Sequence, residues 1–302
     1  MSNLCFRLSS VIPGASAFPL APSDFQAIVP APAARPFDAL NAAAPAYALH
    51  SFRKMLLTYD GPACRLRRSS DNVELNFAPD TLSSVITTWL AGATAFLVRM
   101  YDHSGNNRDL YQPSASAQPS IILSGAYPFA DFDGSDDYID LVNGLGFARN
   151  RAGLTVAALA NPDTVAGNKA IAFWATTGGT SGTIDVGSVS GTSKASFGRT
   201  SSTQSTANVP ITAAAWHRMI GRADWTTPIL SAQIDGTEGT VTASVTTGVT
   251  ADVDLTLNPS VGRHQTVSRW WDGKFAASAW YTSAISDANR TLLNTALAAI
   301  SP

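Results

Sequence analysis

Charge is what this chain has least of. Asp, Glu, Lys and Arg together make up 14% of its 302 residues, against about a quarter in an ordinary domain. Glutamate occurs only as Glu74 and Glu238, and lysine only as Lys54, Lys169, Lys194 and Lys274. Exposed helical surfaces are built largely from those two residue types, so their scarcity argues against a helical protein. Cysteine is nearly absent too. Cys5 and Cys64 have no metal or redox spacing and read as free thiols. No apolar run is long enough to span a bilayer. The first residues, MSNLCFRLSSVIPGASAF, lack the basic leader and apolar block of a signal peptide. The expected location is therefore the cytosol, or the outside by a route such as lysis. A net charge of -2 and a pI near 6.0 exclude a general nucleic-acid or anionic-membrane surface.

Ser, Thr, Gly and Ala fill the space that charge leaves, a mixture that suits short strands joined by tight turns. Residues 1–45 are rich in Ala and Pro. Proline cannot donate a ladder hydrogen bond and holds its predecessor extended, so this segment reads as an extended arm. Residues 46–61 space Leu49, Phe52, Leu56 and Tyr59 as one face of a helix, closed by Gly61-Pro62. A two-strand hairpin over 63–77 follows, then a short helix over 80–91 with Asp80 as its cap, and a strand over 94–102. From Pro128 onward strand follows strand, punctuated by Asn161-Pro162, Gly178-Gly179, Asp235-Gly236 and Asp272-Gly273. Many short, evenly spaced strands mean a sandwich or a barrel. A helix over 286–300, capped by Ser286 or Asp287, ends the pattern.

The chemistry-bearing residues form no motif of a known catalytic type. His50, His103, His217 and His264 are scattered, with no nucleophile elbow, phosphate loop or zinc spacing. A glycosidase needs two carboxylates facing each other across a sugar ring. In TIDVG (183–187) only Asp185 is acidic, Glu74 and Glu238 lie in hairpin and turn, and Asp252 with Asp254 read as a solvated face. The turn DFDGSDDYID gathers Asp131, Asp133, Asp136, Asp137 and Asp140. Asp133, Asp136 and Asp137 could hold a structural Ca²⁺, or simply form an acidic hairpin turn. In SVGRHQTVSRWWDGK, alternation puts Trp270 and Trp271 on opposite strand faces. One can be core while the other, if uncovered, stacks on a sugar beside Arg263 and His264, or both can be packing residues at a loop.

Two stretches resemble known families. AYALHSFRKMLLTYDGPACRLRRSSDN (46–72), YDHSGNNRDLYQ (101–112), QPSIILSG (118–125) and FDGSDDYIDL (132–141) resemble, in order and spacing, the N-terminal part of the catalytic region of arabinofuranosidase B proteins. They also resemble phage and prophage proteins sharing that module. The usual blocks read YDQSG and DIGF; here His103 stands for the glutamine and NFAPD (76–80) for the second block. From about 128 to 300, WHRMIGRADW (216–225), AQIDGT (232–237), SVGRH (260–264) and WDGKFAASAWYTSAISDANRTLL (271–293) resemble concanavalin-A/laminin-G-like domains, which implies two facing antiparallel sheets.

The resulting expectation is an all-β antiparallel jelly-roll sandwich with an extended N-terminal arm and a few short helices. Its segments are an anchoring arm over 1–45, a small helix and strand module over 46–127, and the sandwich over 128–302. The expected role is that of a bacteriophage virion subunit (fibre, spike or head decoration) that is not an enzyme and needs no cofactor. It would contact other virion proteins through the arm, assemble as a homo-oligomer, trimer first, and bind host glycan through Trp270, Trp271, Arg263 and His264. An arabinofuranosidase-like glycoside hydrolase and a ligand-free structural component are the alternatives.

Overall fold

The computed structural model describes residues 33–302 except 168, 176–180, 187–191, 199–204, 228, 242–255 and 265–268. Residues Ala34–Pro302 form one compact unit. Its strands, in chain order, begin with β1 (Ala48–Ser51), β2 (Cys64–Arg68), β3 (Glu74–Phe77), β4 (Ala95–Met100), β5 (Leu110–Tyr111), β6 (Ser120–Ile122), β7 (Phe129–Asp133) and β8 (Ile139–Leu141). They continue with β9 (Gly153–Pro162), β10 (Lys169–Ala175), β11 (Ser181–Val186), β12 (Thr192–Gly198), β13 (Ser205–Pro210), β14 (His217–Asp224) and β15 (Ile229–Ile234). The last are β16 (Thr237–Glu238), β17 (Thr240–Val241), β18 (Leu257–Val261), β19 (Arg263–His264), β20 (Arg269–Trp270) and β21 (Asp272–Tyr281). The α-helices are α1 (Asp38–Ala43), α2 (Ser83–Leu90) and α3 (Asp287–Ala299). All the strand pairings are antiparallel, as the expected fold class requires.

Two layers emerge from the pairings. The first runs β3–β2–β4–β6–β7–β21–β9–β14–β15–β16, with β1 beside the second half of β21. The second runs β8–β18–β10–β11–β12–β13–β17. Strand β5 pairs with both β4 and β8 and so joins the layers at one side.

The first layer is covered on both faces. Val156, Ala158, Met219 and Trp280 belong to the core between the sheets; Ala157, Leu159, Ile220 and Tyr281 belong to a second core beneath α1 and α3. That explains why LTVAALA in β9 reads as a continuous apolar run with no alternation: both faces are buried. Alanines at 157, 276, 277 and 279 leave room for the helices to approach the sheet closely.

Residues 46–61 are not a helix. Residues 48–51 form β1, and every residue of that strand is buried. Leu49, Phe52 and Leu56 are buried as expected, but they divide between the two cores. The spacing that imitates a helical stripe is a strand and loop sampling both sides of a sheet. Asp80 does not cap α2 either. Leu82 takes that position without a side-chain cap, and Asp80 accepts from Arg53 Nε at 2.7 Å, Lys54 N at 3.2 Å and Arg35 at 3.1 Å. Ser286 caps α3 as read, accepting from Asn289 N. Strand β13 went unread in the sequence.

Candidate functional site: the hairpin at the edge of the second layer

The short hairpin β19–β20 leaves the second layer after β18 and returns into β21. Gly262 makes this corner. Its φ is +94°, and a Cβ there would sit 2.3 Å from Phe132 Cε1, so only glycine fits. Its N–H donates to Ile171 O at 3.0 Å, and its carbonyl accepts from Trp271 N at 2.8 Å. Arg263 then lies opposite Trp270, and His264 opposite Arg269. Residues 265–268, between them, are outside the described part.

Arg263 is held on two sides. An Nη donates to both carboxylate oxygens of Asp140 at 3.1 Å, and the guanidinium carbon lies 3.3 Å above the ring centre of Tyr138. Trp270 stands beside the same tyrosine, ring centres 6.2 Å apart and tilted by 45°. Arg263, His264, Trp270 and Asp140 are all half-buried. Asp140 comes from β8, which pairs with β18 through Ser260. The site is therefore a guanidinium with a fixed plane, a carboxylate and two aromatic rings at the sandwich edge. Flat apolar faces beside charged hydrogen-bonding groups match a sugar ring, with its C–H faces and hydroxyl rim.

The structure brings Arg263 and Trp270 together, and His264 lies in the same hairpin. Trp271 does not share the surface. It is wholly buried and belongs to the core between the sheets. Tyr138 carries no sequence signal as a partner of this site, and in the sequence Asp140 reads only as part of the acidic turn. Both stand more than a hundred residues before Arg263, and only the β8–β18 pairing makes them neighbours.

The acidic turn sits at the same corner, since the Asp137 carbonyl is 3.0 Å from where a Gly262 Cβ would stand. Carboxylate oxygens of Asp133, Asp136 and Asp137 lie within 4.8 Å of one another. This is an oxygen-only set of the kind a hard divalent cation takes. Much of it already serves the turn. Asp133 Oδ1 accepts from Ser135 N and Asp136 N, and Asp137 Oδ2 accepts from Asp133 N. Asp137 is buried, and that burial pushes its carboxyl up to about 6 despite the Asp133 N–H, with the neighbouring carboxylates adding to the rise.

The other candidate acids of the sequence stand on β3, β11 and β16 or lie outside the described residues. Glu74 lies 3.8 Å from Arg65, and Glu238 pairs with Arg290 at 2.7 Å. Asp185 falls in β11 opposite Lys194. Asp252 and Asp254 lie outside the described residues.

No family model matches the chain, and no curated protein matches it in sequence. Solved structures do. A GH54 α-L-arabinofuranosidase soaked with a cyclic sulfate inhibitor superposes with a TM-score of 0.68 at 15% identity, covering 87% of this chain and 65% of the enzyme. An arabinofuranosidase complexed with arabinofuranosyl-α-1,2-xylobiose gives 0.60 at 15% identity, covering 87% and 64%. The chain thus spans just under two thirds of the length of these proteins. The likeness extends well beyond the four sequence blocks between 46 and 141, and it shows a shared β-sandwich fold. The expectation that the chain is not an enzyme is corrected on this finding, because both of these structures, matched over 87% of the chain, are arabinofuranosidases. The virion role and the trimer rest on the sequence alone; of the arm read over 1–45 from its Ala and Pro content, residues 1–32 lie outside the described part and Asp38–Ala43 form α1 within the compact unit.

Proposed function

We propose that this chain is a glycan-recognising sandwich of the arabinofuranosidase type, whose ligand is an arabinose-bearing polysaccharide held at the β19–β20 hairpin. The observation that carries the reading is the grouping of Arg263, Tyr138, Asp140 and Trp270 at one sheet edge. Trp270 offers a ring face to sugar C–H groups, and Tyr138, covered by the Arg263 guanidinium, fixes the plane of that group. Asp140 and the remaining Arg263 donors offer an acceptor and donors to neighbouring hydroxyls. The likeness to arabinofuranosidases supports the sugar class and adds a second reading, hydrolysis of an arabinofuranoside.

That reaction needs a second carboxylate about 5–5.5 Å away for retention, or about 6.5–9.5 Å for inversion. Asp140, from β8, is the carboxylate that stands against the hairpin. Two measurements made side by side test both readings: calorimetric titration with arabinofuranosyl-α-1,2-xylobiose, and release of nitrophenol from 4-nitrophenyl α-L-arabinofuranoside. Binding that weakens in Arg263→Ala supports recognition at the hairpin. Turnover lost in Asp140→Asn supports hydrolysis. Absence of both binding and turnover overturns both readings.

A further inference from the structure

A second cleft lies on the other side of the first layer, away from the hairpin. It has a volume of about 340 Å³ and is lined by Leu159, Trp216, Arg218, Asp235, Ala298 and Ser301. Its floor is β9 and the start of β14; its rim is the C-terminal end of α3. The volume is at the small end of the roughly 300–1,000 Å³ range of ligand clefts, which suits one monosaccharide unit rather than a long chain.

The polar wall is pre-formed. Asp235 and Gly236 make the two-residue turn between β15 and β16, both with positive φ (+53° and +91°), the geometry that Asp-Gly favours in a tight hairpin. The Asp235 backbone N–H donates to Arg218 O at 3.1 Å. Asp235 Oδ1 accepts from Arg218 N at 3.0 Å and Arg218 Nε at 2.8 Å, and Oδ2 faces His217 Nδ1 at 2.7 Å. Those three bonds outweigh burial and hold the carboxyl below its ordinary range. A carboxylate has about four acceptor positions, so one remains on Oδ2. Arg218 spends only Nε on Asp235, and its two terminal nitrogens make no hydrogen bond or ion pair among the described residues. The opposite wall is the half-buried Trp216, fixed at 81° to Phe129 with ring centres 5.3 Å apart.

The geometry points to a second carbohydrate site in this cleft, taking one neutral sugar unit with vicinal hydroxyls. A hydroxyl both donates and accepts. A rigid donor fork next to a rigid acceptor matches a pair of them, while the indole covers the sugar's C–H face. An anionic ligand would meet the Asp235 carboxylate, and a cationic one the Arg218 guanidinium, so the paired charges select a neutral polyol. This site stands on its own residues and does not depend on the hairpin reading.

The test is saturation-transfer NMR on the full chain with methyl glycosides of arabinofuranose, xylopyranose, galactopyranose and glucopyranose. Arg263→Ala serves as the background that removes the hairpin site. The expected result is transfer from at least one glycoside that persists in Arg263→Ala and weakens roughly tenfold or more in Arg218→Leu and Trp216→Ala. Ala298 is exposed on the rim, so Ala298→Trp fills the cleft without touching the Arg218–Asp235 pair. It should abolish the signal with the melting temperature unchanged, even if the other variants fold poorly. In the Arg263→Ala background, no transfer from any glycoside, or transfer that survives Ala298→Trp, overturns the proposal. Transfer lost only in Arg263→Ala also overturns it, while leaving the hairpin site standing.

Discussion

Ser278 donates its hydroxyl hydrogen to Nδ1 of His50, and the pair sits opposite each other across β1 and β21. The direction of that bond follows from the partners. Nε2 lies 2.7 Å from the carbonyl of Arg108, which can only accept, so the proton is on Nε2 and Nδ1 is the acceptor. Burial lowers the imidazole's affinity for a second proton despite nearby Asp102, which keeps the ring neutral. Ser278 Oγ in turn accepts from the Trp280 indole at 3.1 Å. A serine paired with a histidine has the form of an activated nucleophile, but both side chains are inaccessible to solvent. Its work is to pin β1 to the sheet. Ser278→Ala should destabilise the fold by about 1–3 kcal/mol, the cost of orphaning a buried polar group. Thermal melting measures that loss, and glycan binding by the folded fraction should be unchanged.

Acid sensitivity should come mainly from the histidines of the same region. His103 stacks on Tyr59 with ring centres 4.1 Å apart, and both its nitrogens are buried without a partner. Burial, with His50 nearby, lowers it to about 3. A histidine depressed in the folded state binds its proton first in the unfolded chain, so its stabilising contribution is present above about 6.5 and is lost as pH falls. Each such group tilts stability by up to about 1.4 kcal/mol per pH unit below that point. Denaturant melts of His103→Gln from neutral to acid pH should show a visibly shallower loss than the parent. An unchanged slope would remove His103 as a source.

Asp137 should act in the opposite direction. Its carboxyl is raised to about 6 from 3.8, chiefly by burial. The folded state therefore holds its proton longer, and the stabilisation it gives at low pH is lost as pH rises from about 4 to about 6. The upper bound is about 3 kcal/mol, reduced by whatever solvent reaches the turn. Asp137→Asn can still accept from Asp133 N and should be more stable than the parent at pH 7, with no rise on mild acidification from this group. Parallel melts with and without calcium show whether a cation replaces the proton: a parent that calcium stabilises at pH 7 and an Asn variant that it does not would assign the turn to metal binding.

The two-layer architecture was readable because its cause is local. Turn residues such as Asp235-Gly236 recur at strand spacing, and the scarcity of Glu and Lys argues against helical surfaces. Residues 46–61 were misread because β1 is buried on both faces, which removes the alternation that identifies a strand and leaves an apolar spacing open to a helical reading. The block YDHSGNNRD was recognisable as a motif, yet its reason is structural. Asp102 accepts from Leu49 N, Ser104 N, Ser104 Oγ and Arg108 N, and Asp109 from Asp102 N and Arg99, so the carboxylates organise a loop. At the candidate site the sequence offered Arg263 and Trp270, which lie close in the chain. It could not offer Tyr138 or Asp140, because their proximity depends on strand pairing across more than a hundred residues.

The adjacent tryptophans should separate packing from recognition. Trp271 is completely buried and its indole N–H has no hydrogen-bond partner, so it contributes as an apolar ring. Removing a buried aromatic leaves a cavity and costs about 3–5 kcal/mol. Trp271→Ala should therefore melt much earlier, while Trp271→Phe should recover much of the loss, since no hydrogen bond is sacrificed. Trp270, one residue earlier, faces the other way. It is half-buried beside Tyr138 and forms one edge of the Arg263 site. Trp270→Ala should leave the melting temperature nearly unchanged and weaken binding of arabinofuranosyl-α-1,2-xylobiose by about 1–3 kcal/mol, the range of an interface aromatic. Melting curves and calorimetric titrations on both variants decide the matter. If Trp270→Ala unfolds as readily as Trp271→Ala, with affinity unchanged in the folded fraction, the pair is a packing corner and the hairpin does not bind the sugar.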